Sequence, residues 1–198
     1  CLSERVIDYE KKKDIVRLLK NITSQKKVNF IIDTEGGISE YIEYLTYILT
    51  SNKVKIYSFV PEFSLSAGSL LSIASSELYL NNYSVLGPID TQLEFVNSDT
   101  VDDEYFPARF IKNLKKRENA LIQLKARESE CYCNNDYFII EKIFEDAKKR
   151  EKITKYFLEQ DYSHNIKYGY YDLKKFGINC FLGIPDEIST LFYYFKSL

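Results

Sequence analysis

The sequence predicts an α/β fold, a parallel sheet with covering helices, and three observations carry that prediction. Short apolar, β-rich runs stand at 28–33, 54–60 and 77–80, with Val85-Leu86 after them. Between the first two, Ile38, Tyr41, Ile42, Leu45, Ile48 and Leu49 fall on one face of a helix. A second apolar helical run, through Leu70, Leu71 and Ile73, follows the 54–60 run. Strand, helix, strand, helix, strand is the rhythm of parallel strands joined by crossover helices, and it gathers the loops after the strands along one edge.

Taken in order, Val6, Ile7, Ile15, Leu18, Leu19 and Ile22 have helical spacing, with Ser3 as the N-cap. Val28-Asn29-Phe30-Ile31-Ile32-Asp33 is a buried strand, and Thr34-Glu35-Gly36-Gly37 turns the chain into the next helix. Pro61 stops the 54–60 strand, and the small residues of Phe63-Ser64-Leu65-Ser66-Ala67-Gly68-Ser69 open the second helix. Gly87-Pro88-Ile89-Asp90 ends the Val85-Leu86 strand, and the acidic, polar stretch 97–105 reads as a loop. Pro107 begins a mostly helical half, 108–127 and 136–160, with charges on most faces, expected to extend from the core. The tail reads as a short helix at 171–176, a strand at 178–182 and a helix begun by Pro185 and Asp186. A chain of 198 residues suits one domain, with its core at about 1–96 and a helical extension and C-terminal segment at about 97–198.

Composition narrows the function classes. An apolar share of 45% and a net charge of −2 fit a globular protein with no basic field for nucleic acid. Cys1, Cys131, Cys133 and Cys180 match neither a zinc ribbon nor a CxxC motif, and a chain with one histidine cannot build a His-rich metal site. No metal or other cofactor is expected. Unpatterned thiols point to a reducing compartment, and the expected location is the cytoplasm. No run approaches a membrane span, so membrane association is expected only through a segment absent from this chain, which lacks methionine altogether.

Ser66 is the leading chemical candidate. A turn of small residues between a strand and a helix presents a side chain among free N–H groups that favour an oxyanion, and Ala67 and Gly68 leave room for a substrate backbone. The segment is not a GxSxG elbow, and the plainer reading is a tight helix start packed on the sheet. Gly36-Gly37 should lie on the same edge, where glycines let a backbone N–H face a site, or simply make a turn. Asp90 either orients a base or caps a turn, the turn being the simpler reading. The basic stretch from Arg109 to Arg127 reads as a solvated face, and the aromatic run Phe192-Tyr193-Tyr194-Phe195 as core packing or an oligomer interface.

These segments together resemble a family. Asp33-Thr34-Glu35-Gly36-Gly37, Pro61 to Ser69, Ser76-Glu77-Leu78-Tyr79-Leu80 and Leu86-Gly87-Pro88-Ile89-Asp90-Thr91-Gln92 look like the serine dehydrogenase proteinase family. Its members are ClpP-like serine peptidases, distantly similar to signal peptide peptidase A. The likeness continues at Phe106-Pro107-Ala108, Tyr162-Ser163-His164-Asn165-Ile166 and Phe176-Gly177-Ile178-Asn179, covering about four-fifths of the chain. It implies a ClpP/crotonase-like fold with a repeated ββα core and additional C-terminal helices. Ser66 matches the nucleophile position, and Gly37 and Ala67 the two oxyanion N–H positions, with Gly36 and Gly68 supporting them. Asp33 and Glu35 stand where the family has His and Pro, which places carboxylates near an oxyanion site.

The general base has two candidates. A Clp-type histidine would stand near Ile89-Asp90, where this chain has none. Membrane-linked relatives use a Ser-Lys dyad, which points to Lys112, Lys115 or Lys116, with position favouring Lys116. His164 matches a histidine in the family's Ser/Thr-His-Asp segment, against the alternative of a structural histidine. The expectation is a homo-oligomeric serine peptidase acting on peptide or protein substrates through an acyl-Ser66 intermediate. A degenerate scaffold that binds peptides or partners is the first alternative, and a crotonase-type acyl-CoA enzyme the second.

Overall fold

The structure is a computed structural model that describes residues 2–3, 17, 26–37, 39–95, 104–113, 120–160 and 163–197. The main sheet has five parallel strands in the order β1-β2-β3-β5-β9, formed by Leu2–Ser3, Lys27–Asp33, Lys55–Val60, Glu77–Leu80 and Cys180–Leu182. Helix α1 (Ser39–Ser51) connects β2 to β3, and α2 (Ala67–Ile73) connects β3 to β5. The expected α/β class with a parallel sheet holds.

Alternation along the strands decides what each helix covers. Phe30 and Ile32 of β2, Ile56 and Val60 of β3, and Leu78 and Leu80 of β5 point to one face. There they meet Ile42, Leu45 and Leu49 of α1 and Leu70, Leu71 and Ile73 of α2, all buried. The opposite face carries an aromatic ladder, Phe59, Tyr79 and Phe181, stacked across β3, β5 and β9 at 5.0 and 5.3 Å.

Two short sheets lie beyond the strand ends. Val85–Leu86 (β6) does not join the main sheet; it pairs in parallel with β4 (Phe63–Ser64), and the isolated bridge Thr34↔Ser64 continues this layer toward β2. Gln92–Phe95 (β7) pairs antiparallel with Glu104–Pro107 (β8), so the end of the acidic stretch is a strand rather than a loop. Residues 97–103 lie outside the described residues, as do 4–16 and 18–25 of the N-terminal helical reading; Arg17 is helical and Ser3 lies in β1.

The later helices divide differently from the expectation. A short α3 (Ala108–Ile111) precedes a continuous 24-residue α4 (Ala120–Ile143) that runs through Cys131, Asn134 and Asn135. The break comes at 144–146, where Asp146 caps α5 (Ala147–Ile153) by accepting from Lys149 N at 2.7 Å. A π-helical turn, Thr154–Leu158, follows. These helices do not stand away from the core, because Ile140, Ile143, Ile153, Phe157 and Leu158 are buried within it. The tail forms α6 (Tyr170–Phe176), β9 and α7 (Asp186–Lys196), and α7 buries Phe192 while leaving Tyr193, Tyr194 and Phe195 exposed. Among the described residues no helix is long and apolar enough to cross a membrane.

Candidate active site

Register brings Gly36 and Ser66 together. Thr34 pairs with Ser64 across the β2–β4 edge, through Thr34 N donating to Phe63 O at 3.2 Å and Leu65 N donating to Thr34 O at 2.9 Å. Two residues further along each chain stand Gly36 and Ser66. A Cβ on Gly36, whose φ is +112°, would lie 2.7 Å from Ser66 Cβ and 3.3 Å from Ser66 Oγ. Only glycine fits there.

Ser66 itself has φ 49° and ψ −120°, a conformation that costs a non-glycine residue about 1–3 kcal/mol and persists only where the surroundings enforce it. The enforcement is visible. Gly68 lets α2 start hard against β2 and β4, since a Cβ there would meet Thr34 Cγ2 at 2.6 Å and Ser64 Oγ at 2.8 Å. Ser69 Oγ donates to Ser64 O at 2.6 Å and accepts from Gly87 N at 3.0 Å, tying the turn to the segment after β6. Ser66 Oγ has no hydrogen bond among the described residues, and the Ala67 N–H donates to no described acceptor. Gly37, at φ +128°, is exposed beside this turn.

A second register places Asp90 and His164. Leu86 and Tyr168 form an antiparallel bridge with reciprocal hydrogen bonds of 3.0 and 2.7 Å. Four residues on from Leu86 stands Asp90, and four back from Tyr168 stands His164. His164 Nδ1 lies 2.8 Å from Asp90 Oδ1, which fixes Nδ1 as the protonated nitrogen of the neutral ring and leaves Nε2 as its basic one. A Cβ on Gly87 would lie 3.2 Å from Leu65 Cδ2 and 3.7 Å from the Ile166 carbonyl oxygen, so the segment of the Ser66 turn and the His164 loop approach the same glycine.

Asp90 is therefore not merely a turn cap, and Arg109 is not a solvated residue. Arg109 is 7% exposed and forms a buried ion pair with Asp90 Oδ2. Its helix is anchored by Ala108 N donating to Thr91 O and by Ser129 of α4 donating to Ala108 O. Burial, and then the Arg109 charge, hold the His164 imidazole below its usual value. Nearby, the Tyr168 hydroxyl lies against both Tyr156 O, at 2.7 Å, and Gln160 Oε1.

Asp136 of α4 clamps the residue after Asp90, accepting from Thr91 N at 3.2 Å and Thr91 Oγ1 at 2.9 Å. Burial raises its carboxyl from 3.8 to about 6, against the opposing pull of the Thr91 hydrogen bonds. An acid raised on folding destabilises the folded state only once ionised, so the penalty is absent below about pH 4 and complete above about pH 6. Raising the pH from 4 to 8 should therefore shift the unfolding free energy of Asp136→Asn relative to the parent by about 3 kcal/mol in the variant's favour. Chemical denaturation at both pH values reads this, and parallel pH profiles would contradict it.

The Lys candidates separate. Lys112 stands 5.8 Å from the Tyr137 ring, while Lys115 and Lys116 lie outside the described residues. Asp33 is buried and held by Lys196 of α7 at 3.3 Å, and Lys196 also reaches Glu62 at 2.6 Å. Burial raises the Asp33 carboxyl, and Lys196 opposes that shift; Glu35 is exposed. Among the described residues no group of His, Cys, Asp and Glu is placed to hold a metal ion. A cavity of about 480 Å³ adjoins His164, lined by Gln92, Phe106, Pro107, Phe110, Ser163 and Asn165.

Comparison with known proteins agrees with this architecture. ClpP1 from Listeria monocytogenes superposes with a TM-score of 0.56 at 15% identity, covering 94% of this chain and 92% of its own. A membrane-bound stomatin-specific protease, 1510-N, superposes with a TM-score of 0.56 at 11% identity, covering 92% and 81%. At such identities the likeness shows the fold. Two uncharacterized proteins of Methanocaldococcus jannaschii, MJ1495 and MJ0137, are each 22% identical, over 94% and 97% of this chain. The chain spans 63% and 66% of their lengths, under two-thirds of each. The model of the ClpP-like SDH-type serine proteinases matches residues 4–197, nearly the whole chain. The chain belongs to the ClpP-like SDH-type serine proteinase family.

Proposed function

We propose that this protein is a serine endopeptidase that cleaves peptide bonds through an acyl-Ser66 intermediate, with His164 as general base and Asp90 as its orienting acid. The observation that carries the reading is the His164–Asp90 hydrogen bond, in a loop that meets the segment of the strained Ser66 turn at Gly87. With Nδ1 bound to Asp90, Nε2 is the nitrogen that takes the Ser66 proton as Oγ attacks the scissile carbonyl. The N–H groups of Gly37 and Ala67 receive the oxyanion. His164 then returns the proton to the leaving amine, and water attacking the acyl-enzyme regenerates Ser66. The order along the chain is Ser, Asp, His, with the acid near the place where a Clp-type histidine would stand. Catalytic hydrogen bonds often tighten only around substrate, which accommodates the absence of a Ser66–His164 bond here.

The cavity beside His164 suits an apolar side chain of a peptide, through Phe106, Pro107 and Phe110. Assembly into a homo-oligomer is part of the proposal, supported by apolar residues on α4 that face outward, Leu121 and Leu124 at 64% and 62% exposure. The test is hydrolysis of a fluorogenic peptide library by the purified protein, with Ser66→Ala and His164→Ala as controls. Cleavage lost in both variants is the expected result; equal cleavage by all three would refute the assignment. The unbonded Ser66 Oγ favours, as a second reading, a degenerate scaffold, which would bind peptides with the same affinity in Ser66→Ala and cleave none. Stabilisation by coenzyme A in a thermal shift assay would instead support an acyl-CoA enzyme.

A further inference from the structure

The catalytic scheme leaves the buried charge of Arg109 without a task. Arg109 pairs with Asp90 Oδ2, donates from Nε to Gln160 O at 2.9 Å, and lays its guanidinium over the Phe110 ring at 4.5 Å. The Asp90 carboxylate is thereby divided, with Oδ1 given to His164 and Oδ2 to Arg109. We propose that Arg109 is a positioning residue for the general base: it fixes the direction of the Asp90 carboxylate and keeps the His164 ring neutral with Nε2 unprotonated. This rests on the reading of His164 as base.

The physical case is one of shared charge. A carboxylate hydrogen-bonded to an imidazole alone favours the imidazolium form. Here the carboxylate is already matched by a guanidinium that does not lose its proton in proteins, so the pull on a second proton at His164 is weakened. The shift of His164 below its usual value follows from its burial and from Arg109. Among the described residues the charged groups against His164 are Asp90, from the segment after β6, and Arg109, from α3. The cavity that His164 borders is otherwise lined by Gln92 of β7, Phe106 and Pro107 of β8, Phe110 of α3, and Ser163 and Asn165 of its own loop, and none of these titrates. A lysine would carry the charge but not the planar fork that serves Asp90 and Gln160 together.

The chain has a single histidine, so an NMR pH titration of carbon-13-labelled imidazole reads His164 without assignment. The parent should titrate below 6.5. Arg109→Gln should raise the midpoint, and Arg109→Lys should leave it near the parent's. The pH profile of fluorophosphonate labelling at Ser66 should move upward with it in the Gln variant. A parent midpoint above 6.5, which needs no variant to fold, would overturn the proposal, as would a folded Gln variant that titrates like the parent. The two readings fail separately: no labelling at any pH together with a shifted titration removes the peptidase and leaves the Arg109–Asp90–His164 coupling standing.

Discussion

Replacing His164 with alanine should lower peptide hydrolysis by about 10,000-fold or more, while Lys112→Ala and Lys116→Ala leave it unchanged. The size follows from what the imidazole supplies. In the proposed mechanism, the Ser66 hydroxyl without it keeps its proton and is a poor nucleophile, and only the oxyanion N–H groups and substrate binding continue to help. The loss should appear in kcat with KM held, because in the proposed mechanism His164 acts on the reacting atoms. Steady-state kinetics on the best peptide from the library decides the matter. If Lys116→Ala removed activity and His164→Ala kept it, the base would be a lysine and the Asp90–His164 pair would be structural.

Gly36→Ala should be nearly as damaging, though Gly36 donates nothing to the chemistry. Its φ of +112° is foreign to alanine, and the new Cβ would sit 2.7 Å from Ser66 Cβ. Relief has to come from the Ser66 turn, since the neighbouring Thr34–Ser64 bridge fixes both backbones. Displacing a nucleophile by about 1 Å costs on the order of 100-fold in rate. The strain should also lower the unfolding free energy by about 1–3 kcal/mol. Comparing the folded variant's rate with its stability separates the two effects. A variant with full activity would mean that Ser66 does not work from the observed turn.

Much of this frame was legible in the residues. The runs 28–33, 54–60 and 77–80 are short, apolar and bounded by turn residues, so their strands β2, β3 and β5 stand within about a residue of expectation. Helix α1 announced itself through the spacing of Ile42, Leu45 and Leu49. The α4 helix did not, because Cys131 to Asn135 carry no apolar period, although packing against the core carries the helix through. The Ser66 turn and its glycines were visible as small residues between strand and helix.

The partner of His164 was not visible in the same way. Asp90 and His164 are 74 residues apart in sequence and meet through the Leu86–Tyr168 bridge, which no local pattern signals. Arg109 was hidden for a related reason. It sits at the edge of a basic stretch, and nothing within that stretch distinguishes the one side chain whose partner lies back near β6. The available signal was chemical: a buried-strand terminus ending in Asp, and one histidine in a segment of matching family sequence.

The central claim is that Ser66 is the nucleophile and that His164 activates it. It is tested most directly by treating the protein with a fluorophosphonate and locating the adduct by peptide mass spectrometry. The account predicts one phosphonylated site, at Ser66, abolished in Ser66→Ala and strongly slowed in His164→Ala. An adduct on another serine, or labelling of Ser66 that is indifferent to His164, would contradict it.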